Sequence, residues 1–206
     1  MAGADGRSVA VFDLGGVLID WNPRHLYRKL FPGDEAAMEE FLATVCTPHW
    51  NECQDAGRTF AEAEDELIRA HPGKAELIRA WRLRFPEMIP GAIGGTVEIV
   101  ERLNARGVPL YALSNWSRET FPSQRTRFSF FDRFQGIVVS GEEGVIKPDP
   151  RIFELLFQRY GISARETVFI DDNPVNARAA TALGVHGIHF RSPDALAGEL
   201  AALGLL

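Results

Sequence analysis

The chain has 206 residues, of which 46% are hydrophobic and 24% are charged, and its formal net charge is −6 at pH 7. This length is enough for one domain with a full core, or for one domain that carries a sizeable insertion. The acidic balance, with no block rich in lysine or arginine, argues against a nucleic-acid partner, which would favour a basic face.

The N-terminal residues 1–7 are small and polar and contain no apolar signal core. The first apolar run, Val9–Phe12, is far too short to span a membrane, so we expect no membrane partner and a cytoplasmic location. Cys46 and Cys53 are the only cysteines. Because they have neither CxxC spacing nor a second pair, we expect reduced, packed thiols rather than a disulfide or a metal site.

The first predicted element is a buried strand at Val9–Phe12, which ends at Asp13. Gly15 and Gly16 then allow the backbone to turn tightly beside that carboxylate. The following stretch, 20–85, is interrupted by Pro and Pro-Gly and shows helical spacing of its apolar residues. We therefore predict a small helical cap at 20–85, inserted into a core formed by 1–19 and 86–206.

Helix and strand patterns alternate from about residue 90 onward. In chain order we predict a helix at 93–106, a strand at 109–114, a helix at 117–128, a strand at 136–139, a helix at 150–160, a strand at 167–170, a helix at 174–183, a strand at 185–190 and a helix at 193–203. This alternation indicates right-handed βαβ units. The predicted fold class is α/β, a Rossmann-like parallel sheet with helices on both faces.

Polar residues stand where three of the predicted strands end. Asp13, Ser114 and the pair Asp171 and Asp172 all follow apolar strand segments. Ligands of open α/β sheets bind beyond the carboxyl ends of the strands, so we expect these side chains to converge on one edge. The helical stretch leaves from the same edge and could cover the site.

The residues at these strand ends fit phosphoryl-transfer chemistry. Asp13 is the candidate nucleophile, since a carboxylate can attack phosphorus and form an acyl phosphate. Asp171 and Asp172 are candidate ligands of Mg²⁺, which prefers oxygen and usually binds one or two protein carboxylates together with the substrate phosphate. Taken singly, each aspartate could instead cap a turn or a helix.

A hydroxyl, an amide and a cation complete the set. Ser114 and the backbone N–H of Asn115 are candidates for holding phosphoryl oxygens, and Lys147 for neutralising charge between nucleophile and phosphate. A Ser-Asn pair at a strand end is also a common turn, and a lysine before proline is usually just solvated. The order of nucleophile, hydroxyl, cation and paired carboxylates nevertheless favours phosphoryl transfer.

Other candidates are weaker. No Walker-type loop or dinucleotide fingerprint occurs, and His186 and His189 are expected on opposite faces of a strand. A polar and aromatic group in the helical stretch could touch substrate: Trp21, Asn22, His49, Trp50, Asn51 and Asp55. Packing and capping are the favoured roles for each of them. Arg118 could meet an anionic substrate group, although this role is not favoured.

The motif residues resemble the haloacid dehalogenase (HAD) superfamily over nearly the whole chain. Asp13, Ser114, Lys147 and the pair Asp171–Asp172 fall on its four motifs in order. The amino-acid sequence of segments 13–18, 147–150 and 169–173 is most similar to the corresponding motifs of the α-glucose-1-phosphate phosphatases, which have a small helical cap. The resemblance therefore implies the HAD fold and a cap inserted after the first strand.

The resemblance also implies a cofactor and a reaction. It implies a Mg²⁺-dependent hydrolase of small phosphomonoesters that forms an aspartyl-phosphate intermediate, with a sugar phosphate as the suggested substrate. The metal would be held by Asp13, the carbonyl of Gly15, and Asp171 or Asp172. Monomer and homodimer both stay open.

The resemblance gives the remaining residues their roles. Ser114 and Lys147 would join Asp13 as catalytic residues. Ser114, Asn115 and Lys147 would hold the transferred phosphoryl group, and water would then cleave the acyl phosphate.

Gly15 departs from the family pattern. Family phosphatases usually carry a second aspartate two residues after the nucleophile, which protonates the leaving oxygen and later activates water. Gly15 has no acid to offer, although the glucose-1-phosphatase-like relatives share this glycine. Since general acid–base help is worth roughly 10²–10⁴-fold, we expect slow turnover or a preference for leaving groups that need little protonation.

Two alternatives follow from this departure. A metal-independent 2-haloacid dehalogenase would fit Gly15, because halide leaves without a proton. The fourth motif of such enzymes, however, resembles the sequence Ser-Ser-Asn, whereas this chain has Asp171 and Asp172 at that motif. The other alternative is a weakly catalytic regulatory or binding protein on the same fold, which an intact Asp13, Lys147 and carboxylate pair disfavours.

Overall fold

The computed structural model describes residues 6–206, so the segment 1–5 of the polar N-terminal stretch lies outside the described residues. The described strands are β1 (Val9–Phe12), β2 (Leu110–Ser114), β3 (Gly136–Val139), β4 (Thr167–Asp171) and β5 (His186–His189). They form one sheet in the order β3-β2-β1-β4-β5, and every pairing is parallel. The predicted Rossmann-like parallel sheet is confirmed.

The described helices cover the sheet and fill the region after β1. They are α1 (Arg24–Leu30), α2 (Glu35–Thr44), α3 (Pro48–Asp55), α4 (Phe60–Ala70), α5 (Ala75–Leu83), α6 (Gly94–Ala105), α7 (Phe121–Arg125), α8 (Ser140–Glu143), α9 (Pro150–Tyr160), α10 (Pro174–Ala182) and α11 (Pro193–Ala202). Within residues 6–206, none of the helices combines the length and apolarity that a membrane crossing requires.

β1 is fully buried because it lies at the centre of the sheet between β2 and β4. Ala10 and Phe12 belong to the larger apolar cluster, which includes the helical region after β1. Val9 and Val11 point to a second cluster on the other face, together with Phe153 of α9. Helices on both faces thus explain why this strand is apolar at every position rather than alternating.

The register of the sheet places the strand ends at one level. Phe12 is paired with Ala112 of β2 and with Ile170 of β4. The backbone N–H of Asp13 donates to the carbonyl of Ile170 at 2.8 Å. The residues that follow these pairs therefore share one edge of the sheet, where the sequence predicted the site.

The helical segment, which we define as residues 20–85, leaves and returns through adjacent connections. Ile19 forms an isolated antiparallel bridge with Ala92. The N–H of Asp20 donates to Gly91 at 3.1 Å, and that of Asn22 to Met88 at 2.9 Å. Both connections lie at the edge that carries Asp13. The division into a core at 1–19 and 86–206 and a cap at 20–85 stays a prediction.

Aromatic packing organises the helical segment around Trp81 of α5, which is 2% exposed. Its ring contacts Trp21, Tyr27 and Trp50 at centroid distances of 6.4, 6.0 and 5.5 Å. The hydroxyl of Tyr27 donates to the carbonyl of Leu77 at 2.9 Å. The two cysteines are free thiols, as expected.

Two features of the region after β2 differ from the sequence prediction. The helix predicted at 117–128 is wrong in extent, because α7 covers only Phe121–Arg125. Ser117 instead begins a turn in which its hydroxyl accepts from the N–H of Glu119 at 3.2 Å, and such local bonds compete with a helix. The short helix α8 was not predicted. It ends at Gly144, whose φ of 71° is left-handed.

Gly187 of β5 provides a test of how closely this strand packs against α10. A Cβ at Gly187 would lie 2.2 Å from the carbonyl oxygen of Ala177, a backbone atom that cannot rotate away. We expect Gly187→Ala to lower the free energy of unfolding by about 1–3 kcal/mol. Urea denaturation followed by circular dichroism measures the change.

Gly198→Ala is the matched control. Gly198 is exposed in α11, and a Cβ there would meet nothing within 4 Å. The same substitution should therefore raise the free energy of unfolding, by up to about 1 kcal/mol, because alanine favours the helix. Equal effects of the two substitutions would contradict the close approach of β5 and α10.

Candidate active site

A buried lysine lies at the centre of the site. The ammonium of Lys147 is 2.9 Å from Oδ1 of Asp13 and 2.7 Å from Oδ2 of Asp171. It also donates to the carbonyl of Leu113 at 2.9 Å. The side chains of Lys147 and Asp171 are completely buried, and that of Asp13 is 11% exposed. Burying a charge is expensive unless it is paired and hydrogen-bonded, and each of these three groups is.

The side chain of Asn115 fixes the backbone that carries Lys147. Its Oδ1 accepts from the N–H of Lys147 at 2.8 Å, and its Nδ2 donates to the carbonyl of Lys147 at 3.0 Å. The amide therefore joins the end of β2 to the loop before α9. The sequence predicted a phosphate-binding role for the backbone N–H of Asn115 and missed this role of its side chain.

The charges of the site shift each other's pKa values. The pKa of Asp13 is raised to about 7, mainly by burial and also by the carboxylates of Asp171 and Asp172, against the opposing effect of Lys147. Burial by itself would lower the pKa of Lys147, but its two carboxylate partners bring it above the ordinary value. One lysine therefore balances only part of the negative charge, which leaves a site suited to an added cation.

Three carboxylates form the candidate metal site. One oxygen each of Asp13, Asp171 and Asp172 lie within 4.8 Å of one another. This donor set fits Mg²⁺, a hard cation that takes oxygen ligands and keeps several waters. Asp13 and Asp171 are buried, whereas Asp172 is exposed. The structure thus brings together three of the four predicted metal-binding residues, and the fourth, Gly15, lies in the adjoining turn.

Gly16 makes room for the carboxylate of Asp172. A Cβ at Gly16 would lie 2.3 Å from Oδ2 of Asp172, and the φ of +73° at Gly16 is left-handed. The left-handed φ therefore requires glycine at this position, and a side chain there would also displace the carboxylate of Asp172. Gly15 is different, since a Cβ there would meet only the Cβ of Trp21, at an ordinary 3.9 Å.

Two asparagines after β4 hold Asp171 in place. The backbone N–H of Asn173 donates to Oδ1 of Asp171 at 2.8 Å, and Nδ2 of Asn176 lies 3.1 Å from both carboxylate oxygens. The side chain of Asn173 also caps α10 by accepting from the N–H of Val175 at 2.9 Å. The sequence analysis missed Asn176, although its position in the first turn of a helix that starts at Pro174 was a usable signal.

Ser114 and Asn115 face a cleft between the sheet edge and the helical segment. The cleft has a volume of about 740 Å³ and is also lined by Asp13, Gly15 and Asp172. A smaller recess of about 70 Å³ shares Gly15, Ser114 and Asn115 with it and continues toward Ser117. Ser114, the last residue of β2, is 1% exposed and lines both the cleft and the recess.

The helical segment contributes only some of its candidate residues to the cleft. Those that line it are Trp21, Asn22, Asn51 and Asp55. Trp50 packs against Phe60 and Trp81 instead, as expected. The side chain of His49 is 87% exposed and lies near Glu52.

The remaining weak candidates stand apart from the carboxylate cluster. Arg118 is not among the residues that line the cleft or the recess. His189 approaches only the backbone carbonyl of Asp172, at 3.1 Å. Within residues 6–206, the cluster of potential metal ligands consists of Asp13, Asp171 and Asp172, without a histidine.

Proteins of known sequence are similar to this chain over nearly its full length. The sesquiterpene phosphatase astK of Aspergillus oryzae is 28% identical over 199 residues, which cover 94% of this chain and 95% of that protein. Acyl-CoA dehydrogenase family member 10 of Mus musculus is 35% identical over 221 residues, covering 96% of this chain but 19% of that much longer protein.

A solved structure shows the same architecture. The HAD family enzyme bt-2542 of Bacteroides thetaiotaomicron, in complex with magnesium and inorganic phosphate, matches with a TM-score of 0.68 and 25% identity, covering 91% of this chain and 96% of that one. The family model for haloacid dehalogenase-like hydrolases matches residues 8–184, from β1 through α10. The match spans both the strand that ends at Asp13 and the paired carboxylates, and the chain belongs to the haloacid dehalogenase-like hydrolases.

Proposed function

We propose that the chain is a Mg²⁺-dependent hydrolase of small phosphomonoesters that carries the phosphoryl group on Asp13. The observation that supports this proposal most strongly is the charge arrangement. Lys147 contacts both Asp13 and Asp171, while Asp172 completes three carboxylates within 4.8 Å. A nucleophile, a fixed cation and a set of oxygen ligands for a metal thus lie at one strand edge, as phosphoryl transfer requires.

Each residue has a defined part in the proposed reaction. The N–H of Leu14 and the ammonium of Lys147 both contact Oδ1 of Asp13, at 2.7 and 2.9 Å, and hold the carboxylate toward the cleft. Asp13 attacks phosphorus and forms an acyl phosphate as the ester P–O bond breaks and the alcohol leaves, while Ser114 and the N–H of Asn115 bind oxygens of the transferred group. Water then attacks the acyl phosphate and restores the carboxylate.

The metal would be held by the carboxylates of Asp13 and of Asp171 or Asp172, together with the carbonyl of Gly15. When bound, Mg²⁺ supplies positive charge that offsets the repulsion between a phosphate and these aspartates. The carboxylate of Asp171 already accepts hydrogen bonds from Lys147 and Asn176. Asp172 carries no such partners among the hydrogen bonds of the described chain, so it is the freer of the two to change orientation on metal binding.

The cleft suits a small substrate. Its volume of about 740 Å³ falls within the roughly 300–1,000 Å³ typical of small-molecule sites. The helical segment lines it with Trp21, Asn22 and Asn51, which offer an apolar surface and amide groups to a substrate. A sugar phosphate is a suitable candidate, because its hydroxyls can bond to amides and its ring can stack on an indole.

A second candidate, 2-haloacid dehalogenation, is favoured by one observation. Gly15 carries no acid beside Asp13, and a departing halide needs no proton. The carboxylate cluster favours the phosphatase, because three aspartates with one lysine are poorly suited to binding an anionic haloacid without a metal. Halide release from 2-chloropropionate in the presence of EDTA would support the dehalogenase.

The nucleophile and the metal can be tested together by phosphate release from a panel of small phosphomonoesters. Wild-type protein should release phosphate with Mg²⁺ and not with EDTA. Asp13→Asn should lose at least about 10³-fold in kcat, since the reaction has no other nucleophile on the enzyme. Asp132→Asn, at an exposed carboxylate away from the cleft, is the control and should retain full activity. Phosphate release unaffected by EDTA would contradict the proposal.

Metal binding has a readout that does not require turnover. Mg²⁺ that binds only the folded protein stabilises it, by about 2.7 kcal/mol at 100 times Kd, so the melting temperature should rise with Mg²⁺ concentration. Asp172→Asn should reduce this rise without lowering the melting temperature in EDTA, because Asp172 is exposed, does not pair with Lys147 and repels the neighbouring carboxylates. A rise in melting temperature of the same size in the variant would show that Asp172 is not a metal ligand.

A further inference from the structure

The proposed reaction needs a proton donor that the sheet edge does not supply. When the P–O bond to the leaving group breaks, the departing alkoxide takes up a proton, and the water of the second step must lose one. Gly15, beside the nucleophile, has no side chain. Lys147 is held by two carboxylates and a carbonyl and lies beneath Asp13, with its side chain fully buried.

The helical segment offers few titratable side chains at the cleft. Arg24 and Glu39 are paired with each other through two hydrogen bonds. Burial raises the pKa of Cys46 to about 12, so this thiol holds its proton too tightly to exchange it near neutral pH. Glu52 is exposed to solvent. Asp55, at the end of α3, is the titratable side chain of this segment that lines both the cleft and the recess.

Asp55 is held firmly at the boundary between α3 and the sheet edge. It is 8% exposed, and its Oδ2 accepts from Nδ2 of Asn51 at 2.8 Å. The backbone N–H of Ser117, in the turn after β2, lies near enough to lower the pKa of its carboxyl. The carbonyl of Asp55 accepts from the hydroxyl of Ser140 at 2.6 Å. Two contacts with the sheet edge therefore fix this residue next to the phosphate-binding turn.

The recess joins Asp55 to the residues that would hold the substrate. Gly15, Ser114 and Asn115 line the same recess as Asp55. The larger cleft is lined by Asp13, Gly15 and Asp55 together, so the nucleophile and Asp55 border one continuous space in which position 15 places no side chain. A leaving-group oxygen directed into this space would face the carboxyl of Asp55.

The carboxyl of Asp55 also has a suitable proton affinity. Burial, and next the negative charge of Glu52, raise its pKa to about 7. The Ser117 N–H opposes this rise, Asp13 adds to it and Lys147 reduces it. A group with a pKa close to the working pH is the most effective general acid and base, because both of its protonation states are accessible.

We propose that Asp55 takes the place of the missing acid at Gly15 and serves as the general acid and general base of the phosphatase, an inference that rests on the proposed function. In the first step Asp13 bonds to phosphorus, the ester P–O bond breaks, and the leaving oxygen takes the proton of the Asp55 carboxyl. In the second step the Asp55 carboxylate takes a proton from water as that water bonds to phosphorus. The bond to Asp13 then breaks, inorganic phosphate leaves, and Asp55 is protonated again.

The test compares leaving groups of one shape and different basicity, namely ring-substituted phenyl phosphates from 4-nitrophenyl to unsubstituted phenyl. A 4-nitrophenolate leaves with little help, whereas phenolate needs a proton. In Asp55→Asn, kcat/KM should fall by less than about 10-fold for 4-nitrophenyl phosphate and by roughly 10²–10⁴-fold for phenyl phosphate. The leaving-group dependence should therefore be shallow in the wild type and steep in the variant.

Two further variants separate acid catalysis from a structural effect. Asp65→Asn changes an exposed carboxyl on α4 of the same helical segment and should leave the whole series unchanged. Gly15→Asp, added to Asp55→Asn, places a carboxyl beside the nucleophile, where the added Cβ meets only the Cβ of Trp21 at 3.9 Å. The double variant should regain activity toward phenyl phosphate, which repair of a docking contact could not explain.

The pH dependence provides a third readout. The acid must be protonated in the free enzyme, so the wild-type kcat/KM for phenyl phosphate should fall as the pH rises through about 7, the pKa of Asp55. The pH dependence of kcat/KM for 4-nitrophenyl phosphate should still reflect the titrations of Asp13 and of the substrate phosphate. It should not show the decrease that the titration of Asp55 causes with phenyl phosphate. Asp55→Asn should remove the difference between the two profiles.

The outcomes distinguish this proposal from the function on which it rests. A loss in Asp55→Asn that is equal across the leaving-group series would show that Asp55 only docks the helical segment, and would overturn the proposal while the phosphatase remained. A wild-type protein that releases no phosphate from 4-nitrophenyl phosphate with Mg²⁺ would overturn both.

Discussion

The burial of Lys147 is the constraint on which the rest of the site depends. Its ammonium has no access to solvent and is compensated by Asp13, Asp171 and the carbonyl of Leu113. These three partners follow or belong to three different strands, so the lysine is satisfied only when β1, β2 and β4 are in register. Removing one partner of such a group leaves an uncompensated buried charge, which typically costs about 3–5 kcal/mol. The same contacts that make the site chemically useful therefore also hold the sheet edge together.

The strands and their polar ends could be predicted from the sequence because both depend on local patterns. Apolar runs of four or five residues predicted β1, β2 and β4, and parallel topology predicted that Asp13, Ser114 and Asp171 would share an edge. What the sequence analysis missed depends on contacts between distant segments. The side-chain amide of Asn115 holds the backbone of Lys147, and the turn at Ser117 replaces a predicted helical turn. No periodicity carries this information.

The two glycines after Asp13 illustrate the difference between a residue that the fold requires and one that it only tolerates. Gly16 has a left-handed φ and lies against Asp172, so geometry alone accounts for it. Gly15 has room for a side chain, and neither its backbone conformation nor its neighbours require glycine. The absence of an acid at this position bears on the chemistry of the site. Either the reaction needs no acid there, as in halide displacement, or the acid comes from elsewhere in the chain.

A donor on the helical segment would link protonation to the docking of that segment. Asp55 is positioned jointly by Asn51 of its own helix and by Ser117 and Ser140 of the sheet edge. Its carboxyl is buried, with a pKa near neutrality, only because the segment rests on this edge. An acid at position 15 would be in place whether or not the cleft was covered. With Asp55 as the donor, the same contact that covers the cleft and excludes water also completes the catalytic set, so that a leaving group that needs a proton receives it only in the covered state.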